Sequence, residues 1–343
     1  MKLAIIGSGF FGITLGLILS KKYNVDVYEK ENTILKGASS ANQFRFHLGY
    51  HYPRSQKTIQ EINKSKDLFI SYYGNKIFGK TLNYYLVANT SKIKYKKYER
   101  FLIRNKLYYK YKNLFSNNKN IERTILTKEK ILNIFDFKKV IINKVKKSNL
   151  KLKLKKEFNN KQIKQYDRII IATYSNNNLL LKKLGVKDLN DYKFQLVEKI
   201  LIKLPNKYYN KSFVVVDGNY VCVDPYLGTK YHLLSDVKLS KLETKIGKFP
   251  KFKNDNRKYL NKGIIKNIKI SRFKEFIDRS SRYLPFLRDA KYVGSMYVVR
   301  TLKKNKEKTD ERTSSIHFHS KKIISVLSGK WNNCVYLAKN LKI

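Results

Sequence analysis

Three glycines and one acid set the first chemical expectation. Gly7, Gly9 and Gly12 form a Gly-x-Gly-x-x-Gly run directly after the apolar stretch Lys2 to Ile6, and the helical pattern Ile13, Leu15, Leu17, Ile18, Leu19 follows. In that setting the first glycine permits a tight turn, the second lets backbone approach a pyrophosphate, and the third lets helix pack closely on strand. Phosphates then sit on the unpaired N–H groups of the first helical turn, where Phe10 and Phe11 lie. Glu29 closes a second strand, Val25 to Tyr28, seventeen positions beyond Gly12 (29 minus 12). A carboxylate there accepts hydrogen bonds from ribose hydroxyls and disfavours a 2′-phosphate. Strand, helix, strand and acid in register predict a dinucleotide site.

The next segment separates FAD from NAD. Gly37-Ala38-Ser39-Ser40-Ala41-Asn42-Gln43 is small, polar and flexible, suited to wrapping a longer cofactor, and it leads into Arg45-Phe46-His47-Leu48-Gly49-Tyr50-His51-Tyr52. A simple NAD domain has no need of such a run. Here the sequence resembles the D-amino-acid-oxidase-like superfamily of flavoenzymes, which includes glycine oxidase, sarcosine oxidase, glycerol-3-phosphate dehydrogenase and L-2-hydroxyglutarate dehydrogenase. Phe46, His47, Gly49 and Tyr52 match the His-x-Gly-x-x-Tyr pattern of the last two.

The resemblance implies that His47 lies beside the flavin ring. Its chemistry agrees, because oxidising a carbon that bears O–H or N–H needs a proton acceptor, and neutral imidazole serves. Tyr50 joins it as a catalytic candidate. An arginine after the strand-like Gly294 to Arg300 is expected to hold a substrate carboxylate through planar, bidentate pairing, with Arg300 the first choice and Arg312 the alternative. The resemblance also places Gly329 at the start of the terminal helix, against the flavin, where a helix N-terminus and Lys330 favour the negative charge of the reduced ring. The expected cofactor contacts are Gly7, Gly9, Phe10, Phe11, Gly12, Glu29, Lys30, Ser39, Ser40, Asn42, Arg45, His47, Val145, Ala172, Thr173, Gly329 and Lys330. His51 and His232 are read as structural, and His317 with His319 lacks a third ligand, so no metal site is expected.

These residues need a framework. At 343 residues with 42% hydrophobic content the chain can build two cores. The expected fold is α/β: a Rossmann-like FAD-binding domain of the glutathione-reductase type, assembled from residues 1–70, 122–185 and 292–343, and an α+β substrate domain from residues 71–121 and 186–291 on a mainly antiparallel sheet. Strands are read at Leu82 to Ala88, Val140 to Val145, Leu150 to Leu154, Tyr166 to Thr173, Leu196 to Leu204, Phe213 to Asp217, Tyr220 to Val223, Tyr231 to Leu234 and Ile323 to Leu327. Turn signals at Gly218-Asn219, Asp224-Pro225 and Gly228 separate them. Helices are read at Lys92 to Arg104 and Ile268 to Phe286. Tyr174 stands where the family often has glycine.

The formal net charge is +49. Lysines are scattered from Lys21 to Lys342 among Asn, Ile, Tyr and Phe, which argues against a designed nucleic-acid face and predicts non-specific adhesion to polyanions or anionic membranes. Cys222 and Cys334 are far apart without a CxxC partner, consistent with a reducing, cytoplasmic setting, and no run reaches the roughly 18 apolar residues of a membrane span. The expected function is oxidation of a C–N or C–O bond in a small amino acid, amine or 2-hydroxy acid by hydride transfer to flavin. Two rivals stand beside it. Gly9-Phe10-Phe11-Gly12 also resembles the turn of UDP-galactopyranose mutase, although Gly37-Ala38-Ser39-Ser40 replaces that family's Gly-Gly-Asn, and a flavin fold could serve as a basic binding module without catalysis.

Overall fold

A computed structural model describes residues 1–218, 221–306 and 308–343. Asn219 and Tyr220, expected in a turn and at a strand start, and Glu307 of the loop after Arg300 lie outside the described residues. The opening strand Lys2–Ile6 is flanked by parallel strands, Asn24–Tyr28 on one side and Arg168–Ile171 on the other. Lys151–Lys153 extends the sheet beyond Asn24–Tyr28, and Ile323–Leu327 extends it beyond Arg168–Ile171. Ser315–Phe318 closes that second edge in antiparallel pairing. The four inner strands read as near-continuous apolar runs because both faces are covered, as parallel sheets require. Helix Phe10–Leu19 is apolar all round for the same reason. Its neighbours include the opening strand and the terminal helix Cys334–Asn340.

The chain moves from the central strand to one side, then crosses to the other. Such a reversal leaves a crevice beyond the carboxyl ends of the strands. Residues just past those ends line one cavity of about 680 Å³: Gly7, Glu29, Thr173 and Gly329.

A second sheet of nine strands covers that crevice. Its longest members, Tyr192–Lys203 and Lys291–Lys303, pair antiparallel from Tyr192 with Lys303 to Lys203 with Lys291. Tyr231–Asp236, Val221–Tyr226 and Lys211–Val216 continue it by antiparallel pairing, and Leu82–Ala88 joins parallel to Lys211–Val216. The expected mainly antiparallel sheet is therefore present, with one parallel step. A third, very short pairing matches Arg45–Phe46 antiparallel to Lys130–Ile131.

Two local expectations are corrected. Val140 to Val145 is not a strand but part of helix Ile134–Lys146, which Asn133 caps by accepting from the N–H groups of Phe135 and Asp136. Ile134, Phe137 and Ile141 recur at helical spacing on its buried side, and that period outweighs the β-branched run. Ile268 to Phe286 is not one helix: two short 3-10 turns flank Phe273–Ser280, and Pro285 opens the second of them. Gln56–Tyr73 forms a long helix that had no expectation attached. Ser55 caps it, and Ile59, Ile62, Phe69 and Tyr73 form its buried face.

Candidate active site

The glycine turn is built for close approach. Gly7 has φ +97°, and a Cβ on it would meet the carbonyl oxygen of Ala172 at 2.8 Å. A Cβ on Gly12 would lie 1.8 Å from the carbonyl oxygen of Gly7, so helix and turn are in direct backbone contact. Gly9 is the N-cap of helix Phe10–Leu19 and offers no side-chain cap. Ser39 reaches the helix start instead, with Oγ accepting from the Phe10 N–H at 3.3 Å. Glu29 is held beside the turn by the Ser8 N–H at 2.9 Å, the Ser8 hydroxyl at 2.7 Å and the Glu31 N–H at 3.0 Å. Donors at a helix N-terminus and an acid at the adjoining strand end thus face the same cavity, which suits a dinucleotide.

From this cradle the cavity runs under the second sheet, past a buried ionic knot. Arg45 is 1% exposed and bonds Glu129 at 2.8 Å through Nη1 and Asp224 and Ser212 through Nη2. Glu129 also accepts from the Leu48 N–H at 3.0 Å and from the Tyr85 hydroxyl. Burial pushes the Glu129 carboxyl up, but His47 and the Arg45 guanidinium outweigh it and hold the group well below the usual carboxylate range. Glu129 is therefore an anion at neutral pH.

His47 sits between this anion and a cation. Its Nδ1 lies 3.6 Å from Glu129 Oε1, an electrostatic contact longer than a hydrogen bond, and its Nε2 lies 3.3 Å from Lys330 Nζ. Burial first, and Lys330 second, lower the imidazole pKa to about 4 against the pull of Glu129, so His47 is neutral at pH 7. A carboxylate on the Nδ1 side favours the tautomer that leaves Nε2 as acceptor toward the cavity. Lys330, its ammonium 4.7 Å above the Tyr52 ring, is lowered to about 7 by burial and the nearby Arg312. His47, His51 and Glu129 also place three metal-ligating atoms within 4.8 Å of one another. Arg45 and Lys330 stand against that trio, and their charge opposes a cation there.

Arg300 completes the site from the roof. Its Nε and Nη2 bond Gln195 Oε1 at 3.0 and 2.5 Å, and among the described residues no carboxylate pairs with it. Burial and the charge of Arg312 lower it to about 10, still a cation at neutral pH. Arg312 is engaged by Asp310.

No family model matches the chain. An FAD-dependent monooxygenase of Fusarium mangiferae is 33% identical over 72 residues, a stretch covering 21% of this chain and only 20% of that protein. Solved structures match far more completely. L-α-glycerophosphate oxidase from Mycoplasma pneumoniae, determined with FAD bound, superposes with TM-score 0.72 at 14% identity over 98% of this chain and 92% of its own. This chain has the fold of the D-amino-acid-oxidase-like flavoenzymes. Glycine oxidase from Geobacillus kaustophilus (TM-score 0.67, 14% identity, 97% and 90% covered) and L-proline dehydrogenase from P. horikoshii (0.70, 11%, 98% and 90%) share it.

Within this flavoenzyme fold, the expected contacts Gly7, Gly9, Phe10, Phe11, Glu29, Lys30, Ser39, Asn42, Arg45, His47, Ala172, Thr173, Gly329 and Lys330 line one cavity, with Arg300 and Arg312. Gly12 supports the turn from behind. Three others stand apart from the lining. Tyr50 is 1% exposed, donates to the Tyr108 carbonyl at 2.6 Å and packs against Tyr85, so it belongs to a core cluster rather than to the reacting face. Ser40 turns back to donate to the Gly37 carbonyl at 2.9 Å. Val145 lies on helix Ile134–Lys146 and not on the cavity, whose lining includes Lys156 to Phe158. His232 bonds the Tyr208 carbonyl at 2.9 Å in the core. His317 and His319 bond Ser315 and Ser325.

Sequence reasoning gave no site role to Glu129, Asp224, Lys199 or Cys222, and Asp224-Pro225, expected in a turn, lies inside strand Val221–Tyr226. Glu129 reaches His47 only because Arg45–Phe46 pairs with Lys130–Ile131, which sets residue 129 opposite residue 47. An acid flanked by two lysines carries no local mark of that role. The one available signal for Lys199 was its place between the apolar pairs Leu196-Val197 and Ile200-Leu201, in the middle of a strand that is buried along most of its length.

Proposed function

We propose that this protein is an FAD-dependent oxidoreductase that oxidises the C–N or C–O bond of a small carboxylate-bearing amino acid, amine or 2-hydroxy acid. The observation that carries the reading is the placement of a neutral imidazole, His47, and of Arg300, a guanidinium with no carboxylate partner among the described residues, on one cavity that continues from the glycine cradle. The cradle fits FAD: a Cβ at Gly7 or Gly9 would crowd it, the N-cap residue Gly9 offers no side chain of its own to the helix N-terminus, and Glu29 stands ready for a ribose. Gly7, Gly9, Phe10 and Phe11 would hold the pyrophosphate, and Gly329 with Lys330 the ring.

Bound FAD supplies the hydride acceptor at its N5. The chain supplies the rest. Arg300 orients the substrate carboxylate by charge-assisted hydrogen bonds. His47 Nε2 takes the proton that leaves the substrate oxygen or nitrogen, and Glu129 stabilises the imidazolium so formed. Lys330, balanced near neutrality, is placed to pass that proton onward. Val197 and Val298 on the roof keep water from the reacting carbon.

The test is a substrate screen on FAD-reconstituted protein under anaerobic conditions. Bleaching of the visible flavin band by one of a panel of amino and 2-hydroxy acids is the expected result. A preparation that stays colourless after reconstitution, or a coloured one that no member of the panel reduces, would overturn the proposal.

A further inference from the structure

The roof of the cavity is mostly apolar, but one row across three strands is not. Lys199 on Tyr192–Lys203 pairs with Met296 on one side, while on the other side Ser235 and Cys222 stand opposite each other on the next two strands. Lys199, Ser235 and Cys222 all line the cavity. The Lys199 ammonium donates to Ser235 Oγ at 2.8 Å, and among the described residues it has no carboxylate within ion-pair distance. Asp224, whose charge reaches it, is already bonded by Arg45, Ser212 and Gln43. Burial first, and repulsion from Arg300 second, lower the Lys199 pKa to about 8.

Arg300 lies on the same lining, opposite Gln195, four residues along the strand from Lys199. At ~3.3 Å per residue the two backbone anchors are roughly 13 Å apart along the strand. Long side chains from both can converge on a ligand of several carbon atoms. Two cations that lack a carboxylate and repel one another are costly in a buried cavity unless the ligand neutralises both.

We propose that the ligand carries a second anionic group that binds at Lys199 and Ser235, so that the substrate class is dianionic: a carboxylate at Arg300 and a further carboxylate or phosphate at the other end. This deepens the function proposed above and rests on it only for where the chemistry occurs. A lysine suits this end because a compact ammonium with rotatable donors accepts either anion without demanding bidentate geometry.

Equilibrium binding to the FAD-reconstituted protein, measured by titration calorimetry at pH 7, tests it independently of turnover. The probes are butyrate, glutarate and 2-phosphoglycolate. Glutarate, 2-phosphoglycolate or both are expected to bind at least about tenfold tighter than butyrate, and which does so identifies the second group. Lys199→Gln is expected to abolish that preference while leaving the butyrate Kd within about twofold, and Lys199→Arg to restore it. Ser235→Ala, a smaller change that spares the charge, should weaken dianion binding by a lesser factor. Equal affinities for the three probes in the unmodified protein, or a preference that survives Lys199→Gln, would overturn the proposal. If no substrate is ever turned over yet the dianion preference is lost with Lys199, the subsite stands and the oxidoreductase reading alone fails.

Discussion

Replacing Glu129 by Gln separates a positioning role from a purely structural one. The carboxylate faces His47 Nδ1 at 3.6 Å and Arg45 at 2.8 Å. At an effective dielectric of about 20, a charge pair about 4 Å apart interacts by roughly 4 kcal/mol, an upper bound for what the imidazolium loses. If half of that, about 2 kcal/mol, is realised, His47 becomes weaker as a base by more than tenfold at roughly 1.4 kcal/mol per decade. The limiting rate of anaerobic flavin reduction should therefore fall by about 10-fold to 100-fold, with substrate affinity little changed. The same substitution leaves Arg45 short of one counter-charge, and breaking a buried pair costs about 3–5 kcal/mol. Asp224→Asn supplies the control. It removes an equal charge from Arg45, through a residue that bonds Arg45, Ser212 and Gln43 and not His47. Stopped-flow reduction and urea unfolding of both variants decide the matter. Both should lose stability, and only Glu129→Gln should lose rate. Equal rate losses in the two variants would refute the reasoning, since the effect would then follow the integrity of the Arg45 knot and not the charge on His47.

Gly12→Ala forces a Cβ to within 1.8 Å of the Gly7 carbonyl oxygen, so the turn must open; overpacking of this kind costs about 1–3 kcal/mol, and the expected outcome is a lower melting temperature together with loss of bound FAD, read as the flavin-to-protein absorbance ratio. A second expectation concerns acid. His47 and His232 are each lowered from 6.5 to about 4, both by burial first, so the folded protein binds their protons less readily than the unfolded chain does. Their stabilisation is fully present above pH 6.5 and is lost as pH falls toward 4; at about 1.4 kcal/mol per decade each contributes on the order of 3 kcal/mol. Urea unfolding at pH 7 and pH 4.5 should show a fall that shrinks in His232→Gln, and an unchanged pH slope in that variant would contradict the assignment.

The order of elements was largely legible in the residues. Gly7 to Glu29 carries its own instructions, because a tight turn, a close backbone approach and a ribose acid are all local demands met within one strand-helix-strand unit. The apolar runs Arg168–Ile171 and Ile323–Leu327 announce buried parallel strands for an equally local reason. Where two periods competed, at Val140 to Val145, the helical spacing of Ile134, Phe137 and Ile141 prevailed, since only a helix puts those three on one buried face.

Which side chains meet is another matter. Tyr50 and His47 are three residues apart, yet one is sealed in a core cluster and the other opens on the cavity, because the Tyr85 and Tyr98 rings packed below draw Tyr50 away. Glu129 and His47 are 82 residues apart (129 minus 47) and meet through a strand pair only two residues long. Lys199 and Arg300 become neighbours on one roof through antiparallel register alone. By itself the sequence determined the glycine cradle and the presence of a histidine and an arginine as candidates. The tertiary structure decided that His47 is neutral, that a buried carboxylate stands behind it, and that two cations on its cavity, Lys199 and Arg300, have no carboxylate partner among the described residues. Those properties depend on burial and on the distances between charges from remote segments, and no local pattern encodes either.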